Sequence, residues 1–337
     1  MEKRIKLMHG SGGRLTHELV ETVFRKNFSN SVLDAMDDSA VIKPPSRLHR
    51  LCYTTDSYVV KPAFFPGGNI GKLAVCGTVN DLAVNGAEPA YISCGFIIEE
   101  GMSLNDLKTI ASSMKKAAAS AGVHIACGDT KVVEKGACDN VFINTSGIGF
   151  IRGRNTLSSG SVRTGDTVII NGTAGDHGAA VLSAREKFEF SHSARSDCAP
   201  LNGLVRDILS SGARVRFMRD PTRGGVAAVL NEICSGRDYG IELNEDSIPV
   251  RGDVSAFCEI LGMDPLYLAN EGKLIAIVHP DDEEKALNKM YNNKYGRNSR
   301  VIGKVTSAHK GRVTVATASG GSRILDMPAG DQLPRIC

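Results

Sequence analysis

No run of apolar residues in this sequence approaches the roughly 20 needed to cross a bilayer. The N-terminus, Met1-Glu2-Lys3-Arg4-Ile5-Lys6-Leu7, also lacks the apolar core of a signal peptide, so the expected location is the cytoplasm. An excess of charge of one sign is missing too. The 40 basic and 37 acidic residues leave a net charge of +3, scattered along the chain, which gives no electrostatic reason for a nucleic-acid or anionic-membrane partner. Nine cysteines occur without a C-x-x-C pair and in odd number, so neither zinc ligation nor a disulfide framework is indicated. Trp is absent, whereas Gly reaches 36, and glycine marks tight turns or close approach of backbone to ligand.

At 337 residues the chain is long for one core and comfortable for two. Strand-like and helix-like segments alternate, which predicts an α/β protein with mixed sheets. We expect a Gly-rich loop and helix over 1–36, a first domain over 37–151, a polar connection, a second α/β domain over 165–326 and a mobile tail over 327–337. Asn69 to Asn85 reads as a helix closed by Gly86, and Ser103 caps a second that ends at Gly122. Val123 to Cys127 reads as a buried strand that terminates in the turn Gly128-Asp129-Thr130-Lys131. Gly172-Thr173-Ala174-Gly175, between a strand and a helix, has the layout of a phosphate loop but not the dinucleotide-binding spacing.

Carboxylates recur at element edges. Asp38 and Asp56 sit at the ends of short strands, Asp81 shares a helix face with Gly77 and Asn80, Asp129 lies at a strand end, and Asp220 precedes a helix. Each has a local reading: a turn residue for the first two, a helix N-cap for Asp220. If they converge they repel one another unless a cation intervenes, and Mg²⁺ with a nucleotide polyphosphate is the usual solution. Glu271, before a buried strand, is either a site carboxylate or a turn residue. The glycines of His9-Gly10-Ser11-Gly12-Gly13 offer backbone N–H groups to an anion, or form a loop without a ligand. Most cysteines lie in apolar surroundings and read as inert core. Cys337 is the exception, a thiol on a segment nothing downstream can bury.

Taken together, the motifs of the whole chain resemble a known family. They are His9 to Gly13, Asp37-Asp38-Ser39-Ala40, Thr55-Asp56, Phe64 to Lys72, Cys76 to Ala83, Gly128 to Lys131, Gly175-Asp176-His177-Gly178, Arg219 to Gly225, Asn270-Glu271-Gly272-Lys273 and Pro334-Arg335-Ile336-Cys337. This order is similar to that of HypE, the carbamoyl dehydratases of [NiFe]-hydrogenase maturation. These belong to the ATP-binding superfamily of aminoimidazole ribonucleotide synthetase, selenophosphate synthetase and thiamine-monophosphate kinase. The aspartate motifs specify only the superfamily; the Pro-Arg-Ile-Cys ending specifies the member.

The resemblance implies an enzyme that dehydrates an S-carbamoyl group on Cys337 to a thiocyanate with ATP, so supplying the cyanide ligand of the hydrogenase iron. It implies HypF as carbamoyl donor, the HypC–HypD complex as cyanide acceptor, and a homodimer whose N-terminal sheets pair in a barrel-like core. Asp38, Asp56, Asp81, Asp129 and Asp220 resemble Mg-ATP carboxylates. Lys72, Asn80 and Thr130 resemble nucleotide contacts, and Ser11, Gly12 and Gly13 a phosphate cover. Glu271 and Lys131 are the candidate bases, one removing the carbamoyl proton and the other orienting the substrate. The rival expectations are a small-molecule kinase or synthetase of the same superfamily, and a non-catalytic carrier of the Cys337 thiol, which would lack carbamoyl-dependent ATP turnover.

Overall fold

A computed structural model describes residues 13–19, 21, 40–42, 49–152, 157–186, 194–330 and 335–337. After a short helix, α1 (Arg14–Leu19), strands β1 (Ala40–Ile42) and β2 (His49–Tyr58) pair antiparallel. A ribbon of β3 (Phe64–Phe65) and β4 (Gly68–Asn69) turns at Gly67, φ +98°, and leads into α2 (Ile70–Val84). Asn69 starts α2 because its side-chain oxygen accepts from the Gly71 and Lys72 N–H groups at 3.0 and 3.1 Å. Then come β5 (Glu88–Glu99), α3 (Leu104–Ala121), β6 (His124–Val133) and β7 (Val141–Arg152), in sheet order β1-β2-β7-β5-β6. The caps read from sequence hold: Ser103 Oγ accepts from the Asp106 N–H, and Gly122 takes φ +71° after α3.

Alternation decides which face of this sheet is covered. Along β2, Cys52, Thr54 and Tyr58 are buried against α2, while Tyr53, Thr55 and Ser57 point outward. The outward face also carries Tyr91, Ile97 and Phe150, all exposed. β6 corrects the sequence reading. Gly128 to Lys131 is not a turn, because the strand continues to Val133, and residues 124–129 are exposed because β6 is the sheet edge.

α2 is the centre of the molecule. It is apolar on all sides and almost wholly buried, so it packs between the first sheet and the second half. Gly77 makes this possible, since a methyl group there overlaps the Tyr58 hydroxyl. That space therefore serves Tyr58. We expect Gly77→Ala to cost about 1–3 kcal/mol, read as a lowered denaturation midpoint with an unchanged slope.

The second half has β8 (Thr167–Ile170), α4 (Asp176–Glu186), α5 (Asn202–Leu209), β9 (Val215–Arg219), α6 (Gly225–Cys234), β10 (Gly240–Asn244), α7 (Gly252–Leu261), β11 (Ile275–Val278), α8 (Glu283–Tyr291), β12 (Arg300–Thr306), β13 (Val313–Ala316) and β14 (Ser322–Ile324). Its sheet runs β14-β13-β10-β12-β8-β11-β9. The continuous Val/Ile runs of β8 and β11 are buried on both faces. Val168 and Ile170 face α6, whereas Ile169 faces α5 and α8 together with Ala83 and Val84 from the end of α2. Among the described residues no helix is long and apolar enough to cross a membrane.

Candidate active site

β2 and α2 bring the first two carboxylates together. Asp81 leaves α2 towards β2, where Thr54 Oγ1 donates to its Oδ2 at 2.9 Å. Asp56, two residues along the same face, accepts from the Ser57 N–H at 2.8 Å. Burial pushes the Asp56 carboxyl up from its ordinary value, against the opposing pull of Arg223 and of the Ser57 and Tyr58 hydrogen bonds. The second half supplies the rest. Arg223, in the loop before α6, is held above its ordinary value first by the charge at Cys337, then by those of Asp56, Glu271 and Asp81. The guanidinium is thus within electrostatic reach of all four. No role for it follows from the sequence motif, because Arg219 to Gly225 carries two arginines and nothing local distinguishes them.

Glu271 is 2% exposed, and its Oε1 has no hydrogen-bond partner among the described residues. Burial, followed by the charges of Cys198, Asp220, Asp197 and Asp56, pushes its carboxyl well above the ordinary range. Asp220 is itself 5% exposed. It is not the N-cap of α6, as its position before that helix suggests; Gly224, at φ +73°, takes that place.

A strap of residues 196–201 fixes Glu271 from outside. Asp197 accepts from the Glu271 and Gly272 N–H groups at 3.1 and 3.0 Å and from Lys273 Nζ at 2.9 Å. Burial alone would raise the Asp197 carboxyl, but the charge and hydrogen bond of Lys273, with the Glu271 N–H, hold it below its usual range. Asn80 ties the strap to α2: its Nδ2 donates to the Ala199 and Glu271 carbonyls at 3.1 and 3.4 Å, and its Oδ1 accepts from the Leu201 N–H at 2.7 Å. The amide predicted to contact nucleotide is thus engaged in joining the two halves.

Residues 335–337 lie against residues 59–61, next to this cluster. The Val59 N–H donates to the Cys337 carbonyl at 3.2 Å, and the Lys61 N–H to the Arg335 carbonyl at 3.1 Å. Arg335, at φ +55°, returns a bond from Nε to the Val59 carbonyl at 2.9 Å. Its guanidinium reaches Asp139 at 2.8 Å, and Lys61 Nζ meets the same carboxylate at 2.8 Å. Arg185 clamps the Lys61 and Arg335 carbonyls at 2.8 and 2.9 Å. Ile336 is 4% exposed within the core between the halves, and Cys337 is half-buried.

Asp129 and Lys131 do not join this cluster. They pair with each other at 3.5 Å on the outward face, 69% and 71% exposed. Asp129 stands opposite Gly95, which stands opposite Asn144 and then Ser57. Three strand spacings, about 14 Å, therefore separate it from the Asp56 end of β2, and Asp56 points to the other face. Thr130 lies between them on β6. Lys72 Nζ donates to the Gly67 carbonyl at 2.9 Å. Gly13 packs against Pro328, and Ser11, Gly12 and Asp38 lie outside the described residues. Among the described residues no three His, Cys, Asp or Glu side chains group as a metal site.

Residues 36–151 match the family model of the AIR synthase related protein, N-terminal domain, and residues 163–316 match that of its C-terminal domain. The chain is thus an AIR synthase related protein in both halves. It is 50% identical over 335 residues to the carbamoyl dehydratase HypE of Rhizobium leguminosarum bv. viciae, covering 99% of this chain and 95% of that one. A crystal structure of a HypE–HypF complex matches with a TM-score of 0.87 at 49% identity, over 92% of this chain and 99% of that chain. A HypE crystal structure in complex with ATP matches with a TM-score of 0.82 at 45% identity, over 99% and 100%. The chain belongs to the HypE family of carbamoyl dehydratases.

Proposed function

We infer that the protein dehydrates an S-carbamoyl group on its own Cys337 to a thiocyanate, using ATP, and that this thiocyanate supplies the cyanide ligand of the [NiFe]-hydrogenase iron. The observation that carries this inference is the seating of residues 335–337 on Val59 and Lys61, just beyond the end of the strand that holds Asp56, with the Ile336 carbonyl on His177. A small-molecule kinase or synthetase has no use for its own thiol at that position.

An amide oxygen is a poor leaving group and phosphate a good one. The γ-phosphoryl group of ATP passes to the carbamoyl oxygen, giving ADP. The nitrogen then loses its protons, the C–O bond breaks with departure of phosphate, and C≡N forms on the Cys337 sulfur. Glu271 is our choice for the base. It is buried next to the tail, and a carboxyl whose burial disfavours its charge is a strong proton acceptor once ionised. Arg223 balances the negative charge that gathers during transfer. Asp38, Asp56, Asp81 and Asp220 are the carboxylates we assign to Mg²⁺, because that ion takes carboxylate oxygens and two of them, Asp81 and Asp56, are held by Thr54 and Ser57 on adjoining elements. That ion would shield the phosphates.

We assign residues 37–151 to nucleotide binding and dimerisation, 165–326 to the covering α/β domain and 327–337 to the substrate arm, in a cytoplasmic enzyme. The outward face with Tyr53, Tyr91, Ile97 and Phe150 suits a second copy of the sheet. Asp129, Thr130 and Lys131 contribute in this scheme only across such an interface. HypF is the carbamoyl donor and a HypC–HypD complex the cyanide acceptor. Intact mass of the carbamoylated protein before and after ATP tests the reaction: the peptide that carries Cys337 should lose the mass of one water. Hydrolysis of ATP with no such loss would overturn it.

A further inference from the structure

The tail is linked to Glu271 by hydrogen bonds through His177 to Ser196, by the peptide bond from Ser196 to Asp197 and by the Asp197 carboxylate, and His177 has no part in the chemistry above. His177, in the first turn of α4, is 0% exposed. Its Nε2 lies 2.8 Å from the Ile336 carbonyl and its Nδ1 2.8 Å from Ser196 Oγ. A carbonyl only accepts, so Nε2 carries the proton and Nδ1 accepts from the serine hydroxyl. Ser196 Oγ in turn accepts from the Cys198 N–H at 3.1 Å, and the Ser196 N–H donates to the Pro66 carbonyl at 2.8 Å. Phe65 meets the imidazole edge-on, with centroids 5.2 Å apart at 90°, which fixes the plane of the ring. The next residue is Asp197, whose carboxylate holds the Glu271 and Gly272 N–H groups.

We propose that His177 is a positioning residue. Through Ile336 it seats the tail, and through Ser196 and Asp197 it sets the tail and Glu271 in register, so that Cys337 and the base meet only when the tail is home. This rests on the reading of Cys337 as the carrier of the substrate. Arg185 and Asp139 hold the Arg335 end of the segment. His177 instead holds the carbonyl directly before Cys337 and connects the segment to the strap through Ser196. Of the side chains that grip the tail, it is the one placed to affect the angle at which the sulfur enters the cluster.

The test uses full-length protein in three forms: wild type, His177→Phe, which keeps an aromatic ring without the donor, and His177→Gln, whose amide can donate to the Ile336 carbonyl. Cys337 alkylation by iodoacetamide is followed by mass of the C-terminal peptide, and single-turnover thiocyanate formation is followed on carbamoylated protein at saturating ATP. Losing one buried hydrogen bond corresponds to roughly a tenfold change. We therefore expect His177→Phe to alkylate about tenfold faster and to dehydrate about tenfold slower, with ATP affinity unchanged, and His177→Gln to recover most of both. Equal alkylation of wild type and His177→Phe would overturn the proposal, as would equal acceleration in both variants, which would make the ring a packing element. Ser196→Ala keeps the bond to Ile336 and severs the link to the strap. It should slow dehydration while leaving alkylation near wild type, and an unchanged rate would overturn the coupling even if His177→Phe does not fold. Alkylation reads the seat independently of chemistry: faster alkylation in His177→Phe supports it even if no form, wild type included, makes thiocyanate, a result that would overturn the function alone.

Discussion

A Cys337→Ser protein is expected to form no thiocyanate while binding ATP within about twofold of wild type. Hydrogen bonds to the backbone and to the Arg335 side chain hold the seat of the tail. It uses the carbonyls of Arg335, Ile336 and Cys337, which accept from Lys61, His177 and Val59, and the Arg335 side chain on Asp139. A hydroxyl in place of the thiol should therefore sit in the same pose. What it loses is the reactive atom, because a serine hydroxyl is far less nucleophilic at neutral pH than a cysteine thiol. Intact mass after exposure to carbamoyl donor and ATP, with calorimetry for the nucleotide, separates the two effects. Loss of ATP affinity together with activity would show that the sulfur helps to build the nucleotide site, and would remove its role as carrier.

Glu271→Gln should separate stability from activity in the opposite sense. Amidation removes the proton acceptor, and dehydration is expected to fall by about 10²–10⁴-fold. The folded protein, however, should become more stable by about 0.5–2 kcal/mol at neutral pH. The sign follows from the raised carboxyl. Between the ordinary value of 4.5 and the higher value in the folded protein, the native state keeps a proton that the unfolded chain has lost, so stability falls as pH rises through that window. The amide has nothing to ionise, and the difference between variant and wild type should widen with rising pH. Melting curves at two pH values above 5 measure it. A variant that is no more stable at the higher pH would mean that Glu271 is already ionised and compensated.

Elements whose causes lie among neighbouring residues were readable in the chain. Asn69, Ser103, Gly86 and Gly122 bound their helices as their chemistry requires, and the Val/Ile runs of β8 and β11 mark a doubly covered sheet. Elements defined by remote partners were not. β6 looks buried by composition but is an edge. α5, β9, β10 and β14 carry short or weak patterns that only the completed second sheet makes sense of. The site divides in the same way. Asp56 and Asp81 are recognisable because each belongs to a compact motif, and Thr54 ties Asp81 to the strand that carries Asp56. The strap of residues 196–201 has no motif of its own: Asp197 and Ser196 matter only because α2, α4 and the Glu271 turn fold onto them. Asp129 and Lys131 form a motif, yet their strand places them on the far side of the sheet.

The backbone bonds that join residues 335–337 to residues 59–61 have a kinetic meaning. A substrate delivered on the enzyme's own chain has no Michaelis constant. Once the sulfur is loaded, reaction is unimolecular, so dilution should not slow it, and each loaded molecule reacts once before it must be charged again. A free peptide ending in the same residues would compete against a tethered copy whose local concentration is of millimolar order. Inhibitors aimed at the tail's groove thus face a far higher barrier than inhibitors aimed at the nucleotide.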